Sequence, residues 1–110
     1  MTDLEKVEIQ IDMAIKIRKL RDNCVKLMNN KLFKDVIEEA YFKEEATRLV
    51  MAKSNPLPAE SIQVIDNMQY GIGGLRNWLR EVIRRGEEMD QAMGEHEQTR
   101  EEILAEEVSV

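Results

Sequence analysis

Apolar residues recur along most of this chain at alternating spacings of three and four, the pattern of a helix that buries one face. Ile65, Met68, Ile72, Leu75, Leu79 and Val82 keep the alternation without error. The same register continues through Gly86, Met89 and Met93, then turns polar at His96 and Arg100. Near the start, Leu4, Val7, Ile11, Ala14 and Ile15 fall on one helical face. A second stripe, Met13, Ile17, Leu20, Cys24 and Leu27, is coiled-coil-like in its spacing. Ile9, Ile11, Met13, Ile15 and Ile17 also alternate with Gln10, Asp12, Ala14 and Lys16, which is the period of a strand. Helix is the better reading here. No turn residues bound the run, no second strand is evident, and a lone strand leaves its ladder unpaired. The wide apolar surface left over implies that this helix is contacted on two sides.

The breaks are few. The first Pro is Pro56 and the first Gly is Gly71. Thr2 and Glu5 have capping-box spacing, which starts a helix at about Asp3. Asn29-Asn30 is the expected first break, because Asn tolerates a helix end and also serves as an N-cap. A helix continuous through this pair is the alternative. A second helix is expected from about Lys31 to Lys53, supported by the Glu39–Lys43 and Glu44–Arg48 spacings. Ser54-Asn55-Pro56-Leu57-Pro58 is a loop, since the residue before each Pro is pushed out of the helical region. Pro58 then fits the first turn of the third helix, where its missing N–H costs nothing. Gly71, Gly73 and Gly74 either break that helix or sit within a continuous or kinked one; the preserved phase favours continuity. The expected fold is all-α: an antiparallel three-helix hairpin or bundle with coiled-coil character. Residues 1–85 would form the bundle and residues 86–110 an acidic helical or flexible arm.

Charge sharpens this division. The 110 residues carry a net charge of −6. Residues 86–110 hold nine acids and one base, so they carry −8, while residues 1–85 carry +2. Apolar residues make up 43% and charged residues 35%, which suits an exposed helical protein better than a compact enzyme. A chain of this length is one small domain with a thin core. One His and one Cys cannot make a four-ligand zinc site, and one Cys cannot form an internal disulfide. The acidic start has no uninterrupted apolar run after it, and no window reaches the roughly 20 apolar residues of a membrane span. A soluble intracellular protein without a membrane partner is the expectation.

Several motifs invite a chemical reading. Gly71-Ile72-Gly73-Gly74 lacks the Gly-Lys-Ser/Thr ending of a phosphate-binding loop, because Leu75-Arg76-Asn77 comes next. His96 sits between Glu95 and Glu97, which point away from it on a helix, so a solvated His is expected. Cys24 lies on an apolar stripe and reads as a small buried hydrophobe. Glu38-Glu39 and Glu44-Glu45 lack the His of a helical carboxylate metal site. The methionines at 28, 51, 68, 89 and 93 read as core filling rather than soft-metal ligands. No cofactor, metal or catalytic residue is expected, because no constellation supplies nucleophile, base and stabiliser together. Between Met13 and Lys34 seven bases face one acid, and Arg76, Arg80 and Arg84 form a row. Such patches can neutralise phosphates. The preferred reading is that they meet the acidic segments, within the protein or between subunits. Trp78 reads as a core residue first and a partner anchor second.

The run from Leu32 to Val50, the segment Ile72-Gly73-Gly74-Leu75-Arg76-Asn77-Trp78-Leu79 and the close Arg100-Glu101-Glu102-Ile103-Leu104-Ala105-Glu106-Glu107 together resemble small acidic helical proteins of tailed bacteriophages. The match covers most of residues 32–107. Gly71 is a local departure from the pattern. The resemblance implies a virion-assembly or virion-associated role, not an enzyme, in the bacterial host cytoplasm or the virion. The expected function is therefore a non-enzymatic interaction protein that self-associates, as a homo-oligomer or with other phage or host proteins. Interaction candidates are Arg76, Trp78, Arg80, Arg84, Met89 and Met93. One alternative is a phage inhibitor of a host nucleic-acid-binding protein, with the acidic arm imitating a phosphate backbone. The other is direct nucleic-acid binding through the basic rows, which the acidic balance of the chain disfavours.

Overall fold

The structure, a computed structural model, describes residues 1–109. It is all-helical, with no strand among the described residues. Helix α1 spans Asp3–Asn29. Thr2 Oγ1 accepts a 3.1 Å hydrogen bond from the Glu5 amide, and Asp3 and Glu5 place negative charge at the positive end of the helix dipole. The alternating run Ile9–Ile17 is therefore helical. The Asn pair is the break: α1 ends at Asn29, and Asn30 turns extended at φ −71°, ψ 134°. The Asn30 side-chain oxygen accepts from the Leu32 amide at 2.8 Å and so caps the next helical segment.

Helical backbone then runs to Lys53 in three pieces: α2 (Lys31–Phe33), a π-helix (Lys34–Glu45) and α3 (Ala46–Lys53). Most π-helical segments are single turns, so twelve residues is long. The wider turn is consistent with the local sequence. Phe33, Ile37, Tyr41, Glu45 and Leu49 recur every fourth residue, and all are buried or half-buried. Ser54 closes the segment, its hydroxyl donating to the Met51 carbonyl at 2.6 Å. Pro58 opens the next helix, its carbonyl accepting from the amides of Ser61 and Ile62. Helix α4 runs from Ala59 to Ser109 without interruption, and no glycine adopts positive φ. The three glycines at 71–74 thus lie inside a continuous helix.

The chain divides into two compact units. The first comprises Met1–Cys24 and the residues from Val82 onward. It contains two helical segments and no third. Ile11 and Ala14 pack against Met93, with Met89 at the margin, and Arg21 meets Asp90 and Gly86. Partners on α4 fall in number as those on α1 rise, so the segments are antiparallel. The second unit, Val25–Glu81, holds the end of α1, the composite helix 31–53 and the first part of α4. Lys53 pairs with Asp66, and the Tyr41 hydroxyl lies beside Gly71, so these two helices also run antiparallel. Leu49, at 1% exposure, is the most deeply buried large side chain.

Burial corrects part of the sequence reading. On α1 the buried row is Val7, Ile11, Ala14 and Cys24, while Met13, Leu20 and Leu27 of the second stripe are about half exposed. On α4 the expected register holds through Ile72, Leu79, Val82, Gly86 and Met93, but Met68 is 48% exposed and Gln69 takes the half-buried position.

Candidate interaction surfaces

In the first unit a charge clamp occupies the register where apolar residues would otherwise continue. Arg18 and Arg21 lie three residues apart, on one face of α1. Arg18 Nε donates to Asp90 Oδ1 at 2.8 Å. Arg21 donates through Nη1 to Oδ2 at 2.8 Å and through Nη2 to Oδ1 at 3.0 Å, a two-pronged contact. Arg21 Nε also donates to Asp22 at 2.7 Å. The hydrogen bonds from Arg21 hold the Asp90 carboxyl below its usual range, and they raise the Arg21 guanidinium further. Gly86 is buried beside this pair, and a Cβ there would run into Arg21 Cβ and Cγ. Arg18 and Arg21, two of the bases of α1, thus meet an acid of the segment 86–110 within the chain. Arg18 and Arg21 belong to the basic run between Met13 and Lys34, and Asp90 to the acidic segment 86–110, but the sequence does not single out this pairing. Its signal is an arginine pair interrupting an apolar stripe, opposite a glycine in the facing stripe.

In the second unit Met28, Glu38, Phe42, Lys43, Arg76, Leu79 and Arg80 line a cleft of about 290 Å³. Lys43 is engaged by Glu39 at 2.8 Å, which raises its pKa. Arg48 pairs with Glu45 and holds that carboxyl below its usual range. No ion pair or hydrogen bond engages Arg76 or Arg80 among the described residues. Arg84 pairs with Glu88 one turn along. The row of arginines therefore splits: two line the cleft and one is tied to its own helix.

Trp78 is 53% exposed, so the core reading of this residue does not hold. It stands on the surface of α4, as do Tyr70 and Met68. Met93 is buried and Met89 packs against the same small core. Cys24 is buried, and desolvation raises its thiol pKa, which keeps it protonated and a poor nucleophile. His96 is half-buried. Among the described residues no helix is long and apolar enough to cross a membrane. No group of three His, Cys, Asp or Glu side chains among them is placed to hold a metal ion.

These features define an all-helical protein whose distinctive side chains lie on its surfaces. Comparison with protein-family models, with curated proteins and with solved structures finds no match to the chain.

Proposed function

We propose that this is a non-enzymatic helical interaction protein that self-associates. In this reading it serves as a structural or assembly accessory of the kind its resemblance to small acidic phage proteins implies. The observation that supports it most is the balance of apolar burial. Among the described residues, eighteen large apolar side chains are exposed against ten buried apolar ones. Singly exposed apolar residues are ordinary, but exposed apolar residues aligned along a helix mark a binding surface. Here Ile9, Met13 and Leu20 align on α1. The chain is then an antiparallel three-helix building block, and pairing with other copies in coiled-coil fashion completes its burial.

Assembly that buries these side chains couples folding to concentration. The thermal unfolding midpoint should rise by several degrees as protein concentration is raised over about two orders of magnitude. A midpoint that does not move over that range would rule out assembly linked to folding.

A further inference from the structure

The face of α1 turned away from Met93 and Asp90 carries Ile9, Met13 and Leu20, which are 44%, 58% and 48% exposed. With Lys16 they occupy positions 9, 13, 16 and 20, the spacing of a seam between two helices. The half-buried Ile17 borders this seam on one side, and Asp12 and Lys19 border it on the other. Charge along the same stretch is divided by sign. Asp3, Glu5, Glu8 and Asp12 come first, with Lys6 the one base among them; Lys16 and Lys19 come after. The neighbouring Arg18 and Arg21 are engaged by Asp90.

We propose that this stripe binds a second copy of the chain, α1 against antiparallel α1, about a two-fold axis between positions 14 and 15. The proposal rests on the self-association reading and specifies its surface. A two-fold contact must be self-complementary, and this one is. Ile9 faces Leu20 of the partner subunit, and Leu20 faces the partner's Ile9. Met13 faces Lys16 of the partner subunit, whose methylenes cover the thioether while its ammonium reaches water. In this register Asp12 comes beside the partner's Lys19 and Lys19 beside the partner's Asp12. Both flanking pairs are opposite in sign. A parallel arrangement would set the acidic halves side by side and the basic halves side by side, so charge selects the antiparallel one.

Charge exchange tests this without touching the buried face of α1. Sedimentation equilibrium at low salt would give dissociation constants for the native chain, D12K, K19D, the double variant D12K/K19D and L20E, with circular dichroism confirming equal helicity. Each single exchange creates two like-charge pairs and should weaken association about tenfold or more. The double exchange restores opposite signs and should return affinity to within about threefold of the native chain. L20E should be monomeric at concentrations where the native chain is not. Native affinity in both single variants, or no recovery in the double, would overturn this surface while self-association stood. A native chain that is monomeric throughout would overturn both.

Discussion

Gly86 lets the α4 backbone approach Arg21 closely, and through that approach Arg21 reaches Asp90. Adding a methyl group inside a helix normally stabilises it by about 0.5–1 kcal/mol, as expected for G74A, where a Cβ meets only open space. G86A should have the opposite sign, because its Cβ collides with the root of the Arg21 side chain rather than with a flexible tip. Thermal unfolding of the two variants checks this: the midpoint rises for one and falls for the other. Asp90 gives a pH prediction. Its carboxyl is held below the usual range in the folded state, so its contribution is complete above the unfolded pKa. That contribution is lost as pH falls through the lower, folded value. Glu45 behaves in the same way through Arg48. The midpoint should therefore hold between neutrality and about pH 5 and fall below about pH 4. D90N should have a lower midpoint at neutral pH and a shallower fall in acid.

At the level of elements, most of the helical layout was legible. Pro56 ends the helix before it and Pro58 opens the next, Asn30 offers a cap, and the unbroken phase of α4 outweighs its glycines. N30A should remove the cap and cost about 0.5–2 kcal/mol in chemical denaturation. The π-helix is not written in the sequence, because the four-residue period of Phe33, Ile37, Tyr41, Glu45 and Leu49 falls between the α and π repeats and suits either. An α-helical template divides such a stripe between two faces and reads it as merely wide. The faces of α1 were likewise under-determined, because apolar residues cover much of its circumference. Only the packing of α4, with Met93 against Ile11 and Ala14, decides which of these faces goes inside. Trp78 illustrates the same limit. Size and apolarity favoured the core, but its register on α4 puts it outside. In the second unit L49A should be the most damaging single truncation, costing about 2–4 kcal/mol, because Leu49 is the one large side chain fully enclosed there.

For the whole molecule, the charge split between residues 1–85 and 86–110 takes on structural content. The acidic segment is helical through Ser109, and Asp90, Met89 and Met93 hold it to α1. Truncation after Arg85 would remove half of the small core of the first unit along with the charge. Its acidic surface is better probed with E101Q/E102Q/E106Q/E107Q, four exposed positions outside that core. These changes should leave the unfolding midpoint within a few degrees of the native chain. The surplus of exposed apolar side chains is a property of the chain as a whole, and the proposed function rests on it. The most direct test of that function is the mass of the native chain in solution, measured by light scattering across a dilution series to micromolar concentration. Self-association predicts a multiple of 12.8 kDa that falls towards the monomer on dilution. A mass of 12.8 kDa at every concentration would contradict it.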